Sequence, residues 1–494
     1  MKKILILTFL IIQTAFLFSQ KRNAVWMLGG ATAINFPKTG IDFAAGIPDT
    51  FSVFREMNFF ITNASICDTN GQLLFYTNGD YIANRNHGRL LNTTFYNPTF
   101  SGDTTFGSNG VQTVLILPRP EHQDQYFIFH VNGESFIANN QTEYQPLSLW
   151  YSKVDMNLDG GLGGIVTGEK TVTLINDTMS WGRLTACKHA NGRDWWVIMH
   201  RYYSDLYYKI LVTPDTMIVS QQNIGRIVIR DIDGMACFTT DGSMYSMLSV
   251  DNKLDVLNFD RCTGEFTMKE EITIPVNYAA FGCAFSPSGR YLYANTNTYI
   301  FQYDTWANPI ASSLDTVAWW DTSYSPLATT FFMQHLAPDN KIYITTFQGT
   351  DKLHVINYPD VGGIGCNVIQ KQLTLPSFNA ACLPNSLNYD LGPVDGSSCD
   401  SLSNDINEIE LSYSIYISPN PAMDFYWINY KSEIAKDLIF EVYDATGKIV
   451  EMKKLYGTLR SFFVDCSSYT SGVYFYKVSL ERMVVKSGKF IVER

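Results

Sequence analysis

Residues Cys283–Thr296 read CAFSPSGRYLYANT, and this stretch decides the fold. Small and apolar residues lead into Ser288-Gly289, and the chain leaves the turn as Tyr291-Leu292-Tyr293-Ala294. Large and small side chains alternate there with the period of a strand, not that of a helix. The same pattern recurs along the chain. It reads CDTNGQLLFY at Cys67–Tyr76, CKHANGRDWWVI at Cys187–Ile198, CFTTDGSMYSML at Cys237–Leu248 and HLAPDNKIYIT at His335–Thr345. The turns are Asn70-Gly71, Asn191-Gly192, Asp241-Gly242, Ser288-Gly289 and Asp339-Asn340, and the last four are spaced 50, 47 and 51 residues apart. Asn-Gly and Asp-Gly supply the positive φ that two-residue hairpin turns need.

Later strands of the unit match as well: LYYKILV at Leu206–Val212, KLDVLNFD at Lys253–Asp260, TYIFQYD at Thr298–Asp304 and KLHVINYPD at Lys352–Asp360. A further unit, Asp124–His130 with Leu147–Asp155, fills the gap between the first two turns. Repeats of about 40 to 50 residues, each with about four strands, are the signature of propeller blades. Six units are distinct. A seventh is expected where NAVWMLGG (Asn23–Gly30) pairs with CLPNSLNY (Cys382–Tyr389), which would remove the open edges of the ring. An array of β-sandwiches is the alternative.

Composition agrees. Of 494 residues 46% are hydrophobic and 14% aromatic, with 29 Tyr, 32 Phe and 34 Gly, and only 17% are charged. Many aromatics and few charges suit a large all-β protein. Net charge is −11, and the stretch from Tyr413 onward carries more Lys and Arg than Asp and Glu, so the body is the acidic part. An acidic body repels phosphate backbones, which argues against nucleic acid as a partner.

Met1-Lys2-Lys3 followed by the apolar run Ile4–Phe18 has the length of a secretory leader and is short of a membrane span. Residues 1–19 are therefore expected to be a signal peptide cleaved between Ser19 and Gln20; an uncleaved anchor is the alternative. The nine Cys are odd in number, and no two have the close spacing of a zinc or redox motif. Cys187, Cys237 and Cys283 sit at equivalent places in the repeat and read as small fillers of buried strands. Export permits disulfides, but the sequence assigns none.

Residues 392–412, GPVDGSSCDSLSNDINEIELS, are polar and Ser-rich and read as a linker. Residues 413–494 hold about seven short strands with alternating apolar faces, an immunoglobulin-like sandwich pattern. This tail opens with Ser418-Pro419-Asn420-Pro421 and continues with LIFEVYDATGKIVEM and SSYTSGVYFYKV to KSGKFIVER. In these pieces it resembles the C-terminal sorting domain, type A, of type IX secretion cargo in Bacteroidetes. The resemblance implies handling by the type IX machinery and delivery to the cell surface or medium. It assigns Pro419, Asn420 and Pro421 to the start of the domain, and Asp444 and Gly447 to a hairpin turn. Gly472 and Tyr474 fall in a late strand, and Lys489, Phe490, Ile491 and Val492 in the final one. The body, from Trp26–Phe36 through SICDTNGQLLFYTNGDYIANRNHGRL (Ser65–Leu90) to HLAPDNKIYITTF (His335–Phe347), resembles propellers that precede this domain and those of WD-repeat and quinoprotein families. No general activity comes with that resemblance.

Motifs for chemistry are sparse. Asp155, Asn157 and Asp159 followed by Gly160 begin like a Ca²⁺ loop, but Val166 stands where the closing carboxylate belongs. A turn with Asp and Asn side chains bonded to backbone is the simpler reading. The seven His are scattered, with no His-x-His or His-Glu-x-x-His group, and there is no Gly-x-Ser-x-Gly elbow. Tyr202 and Tyr203 near a turn, and Trp319 and Trp320 in an apparent insert between blades, are candidates for stacking on sugar or peptide; packing between blades is the plainer use.

The expectation is an all-β chain: a β-propeller of about seven blades over 20–391, a linker over 392–412, and a β-sandwich sorting domain over 413–494. It is expected to act as an exported binding module for a carbohydrate or an envelope protein, with no cofactor apart from Ca²⁺ at the loop above. The rivals are a polysaccharide hydrolase or lyase, which needs carboxylates or a His–carboxylate pair converging on the ring, and a structural part of the cell surface or gliding apparatus.

Overall fold

The computed structural model describes residues 21–30, 36–93, 107–138, 141–229, 234–276, 279–400, 414–431, 438–455, 459–480 and 483–494. The expected leader and the Ser19–Gln20 cleavage position lie outside them. Regular structure among the described residues is almost wholly antiparallel strand, with three short 3-10 turns. The chain divides into two units, residues 1–401 and 402–494.

The first unit is a succession of antiparallel sheets in chain order. The first holds Val25–Met27, Lys38–Asp42 and Asp49–Val53, and the second Ala64–Cys67, Leu73–Thr77 and Ile82–Asn84. The third is built on Val114–Pro118, Gln125–His130 and Ser148–Asp155, with Gly164–Ile165 and Val172–Asn176 both pairing the last of these. Four four-stranded meanders follow. The fourth sheet is Thr185–Lys188, Trp195–His200, Leu206–Val212 and Met217–Asn223; the fifth is Ala236–Phe238, Met244–Ser249, Lys253–Phe259 and Phe266–Thr273. The sixth is Ala280–Phe285, Tyr291–Thr296, Tyr299–Asp304 and Asp315–Trp319; the seventh is Phe331–Leu336, Ile342–Thr346, Thr350–Ile356 and Val368–Asn379.

Each sheet meets the next. The fifth, sixth and seventh touch through their first strands. The third and fourth join where Arg183 N and Leu184 N donate to Val111 O and Gln112 O. The succession closes on itself, because Val368–Asn379 packs on Lys38–Asp42 and Asp49–Val53, and Gly29 N donates to Asn379 Oδ1 at 2.9 Å. This closed succession of small sheets is a β-propeller.

The repeat turns lie between the first and second strands of their sheets. They are not the two-residue turns expected. Gly242 N donates to Thr239 O and Thr239 N to Met244 O, and Gly289 N donates to Ser286 O and Ser286 N to Tyr291 O. The loop is wider, and the left-handed residue stands third in it: φ is +74° at both Gly242 and Gly289 and +61° at Asn340. A tight bend completed by one positive-φ residue needs Gly or Asn at that place alone.

The closure also differs from expectation. Val25–Met27 pairs with Lys38–Asp42, and Cys382–Tyr389 belongs to no strand. Pro384 has no N–H to give to a ladder. The segment instead crosses the middle of the ring as a strap. Asn385 donates from Nδ2 to Val114 O at 2.9 Å and to Leu184 O at 2.8 Å, the first strands of the third sheet and the lead-in to the fourth. Tyr389 Oη donates to Ile116 O at 3.0 Å, and Asn388 Nδ2 to Thr240 O at 2.8 Å. Residues 392–400, expected as linker, remain tied to the ring through Val394 N on Ala190 O and the disulfide Cys262–Cys399.

The second unit has a three-stranded sheet (Ser414–Ser418, Phe425–Lys431, Leu459–Asp465) and a four-stranded one (Leu438–Tyr443, Ile449–Leu455, Gly472–Leu480, Met483–Val492). Both are antiparallel. Tyr426, Ile428, Phe440, Val442, Tyr476 and Phe490 fill its own core.

Replacing Asn385 with Ala strands two buried carbonyls. The expected cost is about 2–6 kcal/mol at roughly 1–3 per orphaned group, read as a drop in the urea midpoint at unchanged slope. A loss under about 0.5 kcal/mol would show that the strap is not holding the inner strands.

Candidate functional site

Beside the strap, at the end of the ring where the repeat turns lie, is a cavity of about 270 Å³. The ends of first strands form one wall and Asn385–Leu391 the other. Its polar lining includes Thr239, Thr240, Asn340, His335, Ser386 and Asp390, set among Ala186, Ala284, Leu336 and Leu387. Asp390 is the one carboxylate among the described residues that line it. At its heart His335 Nε2 and Ser386 Oγ lie 2.6 Å apart. Burial pushes the His335 imidazole down to about 4, so at neutral pH it is uncharged. The neighbouring Trp26 ring, 5.7 Å away, closes off the other side.

No local signal marked this pair. His335 read as one of seven scattered histidines, and Ser386 lies 51 residues further on, in the strap. The amides around them are already committed: Gln112 Nε2 donates to Ala236 O and Gln112 Oε1 accepts from Ala236 N, each within 2.9 Å.

The residues singled out for stacking fall at two separate places. Tyr202 and Tyr203 follow the second strand of the fourth sheet, their rings 4.5 Å apart, with Tyr203 52% exposed. Trp319 is 57% exposed and ends the outermost strand of the sixth sheet, so this is a blade edge and not an insert. Trp320 is half-buried and donates its Nε1 hydrogen to Thr329 Oγ1 at 3.3 Å. Trp195 and Trp196 are both core. In the loop Asp155–Gly160, Asp155 Oδ1 accepts from Asn157 N and Nδ2, and Oδ2 from Gln125 Nε2. Its carboxylate is engaged by its own turn and by Gln125 of the neighbouring strand, and no group of three or more His, Cys, Asp or Glu suited to a metal occurs among the described residues.

In the second unit the two ends of the domain meet. Asn420 Oδ1 accepts from Ile491 N at 2.9 Å, Ala422 N donates to Ile491 O at 2.8 Å, and Glu493 N donates to Ala422 O. Phe490 and Val492 point into the core, while Lys489 and Ile491 face outward. Tyr474 stacks on Phe490 at 5.8 Å and donates to Thr470 O. Asp444 Oδ1 accepts from Thr446 N and Lys448 N and so holds the turn whose Gly447 has φ +84°. Gly472 begins the strand that pairs with the last one.

Residues 414–493 match the family model of the secretion system C-terminal sorting domain. The chain carries a type IX sorting tail. That tail implies export to the cell surface or beyond and handling by the type IX machinery, and no helix among the described residues is long and apolar enough to cross a membrane. No curated protein matches the chain. Among solved structures, the chain is similar to a provisionally assigned 6-phosphogluconolactonase of Bacteroides fragilis, with 10% identity over 73% of this chain and 96% of that one, at a TM-score of 0.42. It is also similar to the β-propeller domain of Cps50 (Swd1) from Myceliophteria thermophila (10% identity, 66% and 91% covered, TM-score 0.37). A third is apo AztD from Citrobacter koseri (9% identity, 73% and 86% covered, TM-score 0.37). The propeller itself rests on the closed succession of sheets described above.

Burial also pushes His130 down to about 3 and His354 to about 4. Unfolded, each would take a proton near pH 6.5. Their contribution to stability is therefore complete above about pH 6.5 and is lost as pH falls toward 4. The melting temperature is expected to fall across that window. A His130→Phe variant, keeping a ring against Trp150, should fall less steeply; an identical slope would remove His130 from the account.

Proposed function

We propose that the chain is an exported binding module: a seven-bladed ring that takes a carbohydrate, carried out by an immunoglobulin-like tail of the Bacteroidetes type. The blade count is supported by seven sheets of three or more strands in chain order among the described residues, with a two-stranded hairpin, Glu134–Ala138 and Gln141–Gln145, inserted within the third, and the sandwich by two antiparallel sheets over one core. One observation carries the binding reading. The strap fills the middle of the ring, so the remaining cavity is a closed-ended cup lined by hydroxyls and amides with apolar residues between them. Hydroxyls and the single Asp390 carboxylate interleaved with apolar surface suit the hydroxyls and faces of a sugar ring, and Tyr203 and Trp319 offer exposed aromatic faces elsewhere on the blades. No cofactor is part of this reading.

A glycan array probed with the purified protein tests it. Binding is expected to weaken at least tenfold, or about 1.4 kcal/mol, on Ser386→Ala if the cup is the site, and on Trp319→Ala if the blade edge is. Binding only to envelope proteins, with no glycan retained, would replace the carbohydrate by a protein ligand.

The pair His335–Ser386 favours a second reading, a hydrolase. At 2.6 Å a neutral imidazole is placed to take the hydroxyl proton as the hydroxyl attacks a carbonyl. Ester hydrolysis abolished by either Ser386→Ala or His335→Ala would establish it.

Removing residues 413–494 is expected to leave the chain in the periplasm. Asn420→Ala, which frees Ile491 N from its clasp, is expected to lower the surface-delivered fraction; normal display of the truncated chain would sink the sorting assignment.

A further inference from the structure

The first strands of the fifth and sixth sheets bring two thiols together. Cys237 lies on Ala236–Phe238 and Cys283 on Ala280–Phe285, and their Sγ atoms are 3.8 Å apart, in van der Waals contact. Neither was paired from the sequence, where both read as fillers at equivalent places in the repeat. Their environments differ. Cys237 is half-buried and stands on the cavity wall; Cys283 is buried behind it and donates toward Met235 O at 3.4 Å. The other five free cysteines, Cys67, Cys187, Cys366, Cys382 and Cys466, are buried.

We propose that Cys237 and Cys283 are a disulfide site, formed by thiol–disulfide exchange when the exported chain meets a disulfide-carrying oxidant. The tail sends the protein through an oxidising compartment, and Cys262–Cys399 is already a disulfide. Access sets the order of steps. The Cys237 thiolate, at the cavity wall, attacks one sulfur of the oxidant's disulfide; a mixed disulfide forms and one oxidant thiol leaves. Cys283 then gives up its proton and attacks Cys237 Sγ, and the second oxidant thiol departs with that proton. Two protein thiols are oxidised and one external disulfide is reduced. The hydrogen bond to Cys237, and then burial, hold the Cys283 thiol protonated, while the positive charge of Arg183 favours its thiolate. Cys283 is thus the resolving thiol and not the attacking one.

Closing the contact to a bond of about 2.0 Å brings the two sulfurs nearer between first strands already packed together. The product ties the fifth sheet to the sixth at the rim of the cup and draws Cys237 Sγ off its wall. The ring has no other covalent link between neighbouring first strands among the described residues.

The test is alkylation under denaturing, non-reducing conditions, followed by peptide mapping. It is applied to full-length protein recovered from the cell surface or medium and to purified protein treated with oxidised glutathione. The expected result is a cross-linked peptide pair holding Cys237 and Cys283, and five alkylated cysteines in place of seven. Cys283→Ser should abolish the cross-link and leave Cys237 open to maleimide in the folded protein. Seven alkylated cysteines in both samples, with no such cross-link, would overturn the proposal. A cross-link in either sample, absent from the Cys283→Ser protein, supports it.

Discussion

A ring of small sheets exposes one strand edge of every sheet to its own middle, and the groups on those edges must be bonded. Here side-chain amides and hydroxyls do much of that bonding. Asn63 reaches Met27 O, Ser65 reaches Val25 O and Gln112 spans to Ala236. Gln334 donates to Gly282 O, and Asn295 to Phe332 O. Each of these side chains is buried; four of them join a sheet to its neighbour, and Gln112 reaches past the fourth sheet, from the lead-in of the third to the fifth. Asn385 does the same for two carbonyls at once from a segment that is not a strand at all. The buried polar residues of this ring are therefore part of how it closes, and an apolar replacement at any of them leaves an orphaned backbone group.

The strap follows from the same constraint. Once the seventh sheet ends at Asn379, the chain can satisfy inner-strand groups only by running across them. Asn385, Asn388 and Tyr389 supply three donors in five residues, and the disulfide at Cys399 fixes the far end. This turns a through-channel into a cup. It also brings Ser386 against His335, so the most chemically distinct contact of the cavity is a by-product of the closure. A cup beside a strap suits capture of one end of a ligand better than passage along a pore.

The tail solves a similar problem differently. Its first and last segments bond to each other, through Asn420 to Ile491 and Ala422 between Ile491 and Glu493. Residues that the resemblance placed at opposite ends of a signal thus form one surface, with Lys489 and Ile491 outward and Phe490 and Val492 in the core. Truncating either end would undo the other.

By itself the sequence determined the strands, their repeat and the sorting tail. Strand alternation, positive-φ turn residues and a spacing near fifty are local properties, set by backbone sterics and legible without neighbours. Tyr291-Leu292-Tyr293-Ala294 needed no tertiary information to be a strand. The tertiary structure alone decided the partners. It paired Val25–Met27 with Lys38–Asp42 and not with Cys382–Tyr389, because a nearby strand with free donors outcompetes a distant segment broken by Pro384. It put Ser386 on His335, Cys237 on Cys283 and Cys262 on Cys399 across separations of 51, 46 and 137 residues. A lone Ser, His or Cys carries no local pattern that names its neighbour. What brings such residues together is the ring, whose circumference is fixed by the packing of all its sheets and by no one of them.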